Sequence, residues 1–263
     1  MTETESRGLA VVTGASSGIG VELARQFAEN GYDLLICAED DRLEQAAAEL
    51  RGTGAEVATV QADLATYDGV EKLYAAATVG GRPVSAAALN AGVGLGGPFL
   101  ETELAREIAM IDLNITGTIH LAKRLLPDMV ARDAGSILVT SSVASTMPGS
   151  YQSVYNATKS FLQSWTQAVQ EELKDTGVVL TSLMPGPTDT DFFHRAEMDD
   201  TPVGKAKKDD PAQVARQGFA ALMDAKNKIL GGSLKSRAQG KAAKVLPDRV
   251  MAKMHSKMAK PES

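Results

Sequence analysis

Leu9-Ala10-Val11-Val12-Thr13-Gly14-Ala15-Ser16-Ser17-Gly18-Ile19-Gly20 is the stretch that sets how the chain begins to fold. Its first five residues are apolar and β-branched, the composition of a short buried strand. A helical pattern follows, with Ile19, Leu23, Phe27 and Ala28 on one face and Asn30-Gly31 as a fitting stop. Asp33-Leu34-Leu35-Ile36-Cys37-Ala38 reads as a second strand. The result is a βαβ unit with glycines at its first turn. A helix N-terminus there offers free N–H groups and a dipole that favours anions, and small residues let a phosphate approach the backbone. Gly14, Ser16, Ser17, Gly18, Ile19 and Gly20 are therefore candidates for cradling a pyrophosphate, although their spacing departs from the commoner G-x-G-x-x-G.

The same alternation continues. A helix is predicted over 41–51, a strand over 57–61, a helix from Tyr67 or Asp68 to Ala77, and a strand over 86–89. A long helix follows over 101–131, then a strand over 136–140, a helix over 153–174 and a strand over 178–184. Asp210-Pro211-Ala212-Gln213 combines an N-cap Asp with Pro at N1 and Gln at N3, opening a further helix, and Lys228-Ile229-Leu230-Gly231-Gly232 reads as an edge strand. At 263 residues this is one doubly wound α/β domain with a largely parallel sheet, a Rossmann-like arrangement.

Composition narrows the class. The net charge is −6, yet from Lys226 to Ser263 eight Lys and two Arg face only Asp248 and Glu262. A basic tail can mark nucleic acid or an anionic membrane. Its amphipathic Val245, Leu246, Val250, Met251, Met254 and Met258 favour a helical tail over 234–263, divided at Pro247, that packs as a dimer contact or a cap over the lid. No apolar run reaches the ~18–20 residues of a membrane span. Residues 1–7 lack the apolar core of a signal peptide. With one cysteine, Cys37, no internal disulfide forms, and a cytoplasmic address is expected. His120, His194 and His255 show no metal-ligand spacing and are read as structural or exposed, so no metal site is expected.

Chemistry enters at Tyr155-Asn156-Ala157-Thr158-Lys159. On a helix, Tyr155 and Lys159 are i and i+4, with Cβ atoms roughly 5–6 Å apart. A phenol near pKa ~10 exchanges protons poorly at neutral pH, and a neighbouring ammonium lowers that value. The pair is a candidate general acid/base, and Ser142 at the end of the 136–140 strand a candidate donor to a carbonyl oxygen. Strand carboxyl ends are where open α/β sheets bind ligands. Asn114, inside the long apolar helix, needs buried partners.

Thr13-Gly14-x-x-x-Gly18-Ile19-Gly20, Asn90-Ala91-Gly92, Asn114, Ser142, Tyr155-x-x-x-Lys159 and Pro185-Gly186 together resemble the short-chain dehydrogenase/reductase family, in matching order and spacing from about Gly8 to Ser233. The resemblance implies hydride transfer between NAD(P)(H) and a small-molecule alcohol or carbonyl substrate. Tyr155 is then the proton donor or acceptor, Ser142 polarises the substrate oxygen, and Lys159 tunes Tyr155 and bonds the nicotinamide ribose. Asn114 sits at a helix kink and holds a relay water. Asp63 and Leu64 border the adenine, Asn90, Ala91 and Gly92 its ribose, and Pro185, Gly186 and Thr188 the nicotinamide. A homodimer or homotetramer built on the long helices is also implied.

Glu39 lies about 20 positions beyond the last glycine, where an acidic residue meets a ribose 2′-OH. It favours NAD(H) over NADP(H), although Arg42 could swing towards a 2′-phosphate. The segment 187–209 lacks clean periodicity but carries Phe192, Phe193, Met198 and Val203, as a lid over a partly hydrophobic ligand would. Two other readings share parts of the pattern. A sugar-nucleotide epimerase or dehydratase also carries Tyr-x-x-x-Lys but needs a larger substrate domain, and a non-catalytic dinucleotide sensor has no use for a proton relay.

Overall fold

The computed structural model describes residues 7–233 and 247–262, so the first half of the expected tail, 234–246, lies outside the described residues. Among the described residues the chain forms β1 (Leu9–Thr13), α1 (Gly18–Glu29), β2 (Asp33–Ala38), α2 (Arg42–Arg51), β3 (Val57–Gln61), α3 (Tyr67–Thr78) and β4 (Val84–Leu89). Then come α4 (Leu104–Ile111), α5 (Thr118–Ala131), β5 (Gly135–Thr140), α6 (Ser153–Glu172) and β6 (Val178–Pro185). The chain closes with α7 (Phe192–Arg195), α8 (Pro202–Lys205), α9 (Pro211–Met223), β7 (Lys228–Gly231) and α10 (Asp248–Ala259).

The strands form one sheet in the order β3-β2-β1-β4-β5-β6-β7, every neighbouring pair parallel. Both faces are buried, so the strands are apolar at successive positions rather than at alternate ones. Ala10, Val12, Ala86 and Ala88 point into the core shared with α1 and α9. Val11, Ala87 and Leu89 point into the core shared with α3, α5 and α6. The small side chains of β4 suit a strand in the middle of the sheet with helices on both faces. Because the chain runs outward from β1 to β3 and then returns to β4 on the other side of β1, the order in which strands are added reverses between β1 and β4, although the strands stay parallel. The carboxyl ends of these two strands splay their connections apart and leave a crevice.

The long helix expected over 101–131 is interrupted. Residues 98–102 close a turn on the Pro98 carbonyl, which accepts from the Glu101 and Thr102 N–H groups, so the helix begins only at Leu104. Between α4 and α5, Asp112–Gly117 is a π-helical turn. The segment 187–209 is pinned at its base, where Asp189 N–H donates to the Asp209 carbonyl and Asp209 N–H to the Pro187 carbonyl, each at 2.8 Å. Inside it lie α7 and α8.

Candidate active site

The turn after β1 brings the helix N-terminus to the crevice. Gly14 has φ +65°, and a Cβ on Gly20 would lie 1.9 Å from the Gly14 carbonyl oxygen, so neither position accepts a side chain without moving backbone. Ser17 caps α1 without a side-chain bond to its N–H groups, and the first turn holds no acidic residue. The positive helix end therefore faces the crevice unneutralised, which suits an anion.

Asn90 ties three strands together at the switch point. Its backbone N–H donates to Thr13 Oγ1 at 2.9 Å, its Nδ2 to the Thr13 carbonyl at 3.2 Å, and its Oδ1 accepts from Thr140 Oγ1 at 3.0 Å. Ala91 N–H also donates to Thr13 Oγ1. Across the crevice, the end of β5 presents Ser141 and Ser142. Ser141 Oγ donates to the Lys159 carbonyl at 2.9 Å, which locks β5 to α6, while Ser142 Oγ accepts from Ala144 N–H at 3.1 Å and both serines border the cleft. Lys159 Nζ donates to the Thr140 carbonyl at 3.0 Å and lies 5.9 Å from the centroid of the Tyr155 ring.

These groups line one cleft of about 390 Å³. Its walls include Gly14, Ser16, Ser17, Gly18, Ile19, Glu39, Asp63, Leu64, Asn90, Ala91, Gly92, Ser142, Tyr155, Lys159, Pro185, Gly186 and Thr188. Two expected site residues stand behind the wall. Gly20 packs on the Gly14 backbone. Asn114 is fully buried, and its side chain is committed: Oδ1 accepts from Val93 N–H and Nδ2 donates to the Val93 carbonyl, each at 2.9 Å. Nδ2 also donates to Thr158 Oγ1 at 3.1 Å. The π-turn is the form the expected helix kink takes, with the Asn114 amide bracing the loop after β4 instead of facing the cleft.

Electrostatics correct one expectation. With the protein's own groups alone, burial pushes the Tyr155 phenol up to about 12, against the opposing pull of a hydrogen bond with the Ser142 side chain. Burial likewise pulls the Lys159 ammonium down to about 8. Burial, rather than the neighbouring lysine, sets the direction of the phenol's shift, which a helical spacing does not reveal.

Beyond the end of β2, Glu39 is exposed on the rim, and Asp63 accepts from Ala65 N–H at 2.9 Å. Asp40, which the sequence reading passed over, collects Ser16 Oγ at 2.9 Å, Arg42 Nε at 3.3 Å and Arg195 Nη2 at 3.3 Å. Burial pushes Asp40 upward, but the bonds from Arg42 and Ser16 outweigh it and hold the carboxyl below its ordinary range. Arg42 also bonds Asp191 at 2.5 Å, tying α2 to the segment over the cleft.

That segment closes the other end. Phe192 sits with its ring centroid 5.2 Å from that of Tyr155, and Gly94 approaches so near that a Cβ there would lie 2.4 Å from the Phe192 ring. Helix α10 adds Met251, Met254, His255 and Met258 to the cleft wall. The amphipathic stripe of the tail signalled a covered face; which surface it covers came only with the fold. Thr188 is buried, and its hydroxyl donates to the Gly186 carbonyl at 2.9 Å. Among the described residues no cluster of His, Cys, Asp and Glu could hold a metal, and no helix is long and apolar enough to cross a membrane.

The comparisons with known proteins agree with this geometry. A family model described as short chain dehydrogenase matches residues 8–201. An uncharacterized oxidoreductase of Staphylococcus saprophyticus is 32% identical over 224 residues, covering 84% of this chain and 93% of its own. A solved short-chain dehydrogenase from Sphingobium yanoikuyae in complex with NADPH superposes with a TM-score of 0.81 at 27% identity, covering 97% of this chain and 98% of its own. A short-chain dehydrogenase/reductase from Burkholderia phymatum in complex with NAD reaches 0.84 at 25% identity over the full length of both. A glycine turn at the switch point, a Ser-Tyr-Lys group on the far wall of the same cleft and these matches lead to one conclusion: the chain belongs to the short-chain dehydrogenase/reductase family and is an NAD(P)-dependent oxidoreductase.

Proposed function

We propose that the protein interconverts an alcohol and a carbonyl compound of small to medium size and partly hydrophobic character. The observation that carries this reading is the convergence of Ser142, Tyr155 and Lys159 on the cleft that begins at the glycine turn. A nicotinamide dinucleotide supplies or accepts the hydride. Gly14, Ser16, Ser17, Gly18 and Ile19 would hold its pyrophosphate, Asp63 and Leu64 its adenine, Asn90, Ala91 and Gly92 its ribose, and Pro185, Gly186 and Thr188 its nicotinamide. Tyr155 gives its proton to the carbonyl oxygen, or takes one from the alcohol. The phenol stays protonated across the neutral range, so it is poised as the acid of a reduction. Ser142 hydrogen-bonds both Tyr155 and the substrate oxygen, which aligns the proton with its destination. Lys159 places a positive charge beside the phenol and would bond the nicotinamide ribose. Asn114 acts as a positioning residue that keeps the loop after β4 in register with Lys159.

NAD(H) is the favoured cofactor. Glu39 and Asp40 stand at the rim where a 2′-phosphate would lie, and the nearby cations are already engaged, Arg42 by Asp40 and Asp191, Arg195 by Asp40. A dianion there would meet the exposed Glu39 carboxylate with no free cation to offset it among the residues named. The segment 187–209 serves as a lid, since its Phe192 covers Tyr155. An oligomer built on the long helices has support in a solvent-facing apolar row: Leu100, Leu104, Ile108 and Ile111 beside Phe161 of α6. Such rows mark association surfaces, here of a homodimer or homotetramer. A cytoplasmic setting fits a single, buried cysteine.

Separate titrations with NADH and NADPH, followed by a panel of ketones and aldehydes read at the nicotinamide absorbance, test the reading. Tighter NADH binding and carbonyl-dependent oxidation of the cofactor are expected. Tighter NADPH binding would reverse the cofactor assignment, and failure to bind either dinucleotide would overturn the site.

A further inference from the structure

Helix α10 does more than cover the cleft. Met251, Met254, His255 and Met258 follow i, i+3, i+4, i+7 spacing, so one face of the helix is a methionine wall with a single imidazole set into it. The helix is tied down at both ends of this face. Ser150 Oγ donates to the Ala252 carbonyl at 3.2 Å, and Glu262 pairs with Lys205 at 2.6 Å. His255 is only 6% exposed. Its Nδ1 lies 2.9 Å from the Ser150 carbonyl, an acceptor only, so Nδ1 carries the hydrogen. In the neutral ring Nε2 is then an acceptor, and it makes no hydrogen bond to any described residue. His255 lines the cleft, so that open space lies beside the ring. Burial, only partly offset by the Ser150 bond, holds His255 below its ordinary pKa and so keeps the ring neutral.

We infer that His255 is a specificity-determining residue that accepts a hydrogen bond from the far end of the substrate. The substrate class is then a carbonyl or alcohol compound with an apolar body, which the methionines and Phe192 enclose, and a second polar group that is a donor, a hydroxyl or an N–H. Methionine suits such a wall because its unbranched, polarisable side chain moulds to apolar shapes. A buried acceptor left unmatched disfavours a substrate that lacks the donor. The inference rests on the dehydrogenase reading above and assigns the distal half of the same site.

The test uses the full-length enzyme, its preferred dinucleotide, and a homologous series of methyl ketones beside their ω-hydroxy counterparts. In the wild type, at one chain length, the hydroxy ketone should exceed its parent by at least ~10-fold in kcat/KM, mainly through KM, the scale of one matched polar group in a buried site. His255→Phe should abolish that preference while the parent ketone is still reduced. His255→Asn retains an amide donor for the Ser150 carbonyl but has no counterpart of Nε2; it should also lose the preference, which covers the case in which the Phe variant folds poorly. A hydroxy-to-parent ratio near one at every chain length in the wild type, or a ratio unchanged in both variants, overturns the inference and leaves the dehydrogenase reading intact. Failure of the wild type to reduce any carbonyl would overturn both.

Discussion

Replacing Asn114 by alanine tests whether the π-turn is braced as described. The side chain makes three hydrogen bonds, two to the backbone of Val93 and one to Thr158 Oγ1, in a fully buried position. Each contributes about 0.5–1.5 kcal/mol net, so Asn114→Ala should cost roughly 2–4 kcal/mol. For a chain of this size, at about 2 °C per kcal/mol, that lowers Tm by roughly 4–8 °C. Thr158→Val removes the single bond from Asn114 together with the 2.8 Å bond from Thr158 Oγ1 to the Tyr155 carbonyl, but spares both Val93 bonds. It should cost about 1–2 kcal/mol, clearly less than the alanine variant. Thermal melts of the two variants beside the wild type decide the point. Turnover of Asn114→Ala should also fall, on the order of 10-fold or more, through misplacement of the loop that borders Lys159. A Tm drop of less than about 2 °C in Asn114→Ala, or a larger drop in Thr158→Val, would refute the bracing argument.

Other outcomes follow from single contacts. Gly20→Ala puts a methyl 1.9 Å from the Gly14 carbonyl, so the turn must shift; dinucleotide affinity should fall at least ~10-fold and stability by about 1–3 kcal/mol, measured by titration and melting. Glu39→Arg converts the acidic rim to a basic one, and the ratio of NADPH to NADH affinity should rise by at least ~10-fold in parallel titrations. Carbonyl reduction should hold level with pH through neutrality, because Tyr155 remains protonated up to about 12, and decline above about 8 as Lys159 loses its charge. The pH profile of kcat/KM reads this directly, and Lys159→Arg, which stays charged, should move the decline to higher pH.

Much of this was legible in the sequence because the relevant physics is local. Leu9–Thr13 followed by glycines can be read as strand and turn without knowing what packs on them, and the alternation of elements then leaves few topologies. The spacing of Tyr155 and Lys159 placed both on one helical face. What was not legible depends on distant partners. Apolar residues across 101–131 fit an α-helix and a π-turn equally well, and only the pairing of Asn114 with Val93 distinguishes them. The direction of the Tyr155 shift depends on burial by Phe192, Leu95 and Met110, residues far apart in the chain. The Asp40–Arg42–Asp191–Arg195 network joins segments about 150 positions apart, and no local pattern announces it. His255 looked like a bystander because its importance lies in which wall α10 reaches.

Tyr155→Phe is the sharpest trial of the proton-transfer assignment. The ring keeps its packing against Phe192, and only the hydroxyl and its bond with Ser142 are lost. Steady-state turnover, measured with dinucleotide affinity on the same preparation, should fall at least ~100-fold while the affinity stays within about 3-fold of wild type. Turnover within a few-fold of wild type would contradict the claim that this phenol moves the proton.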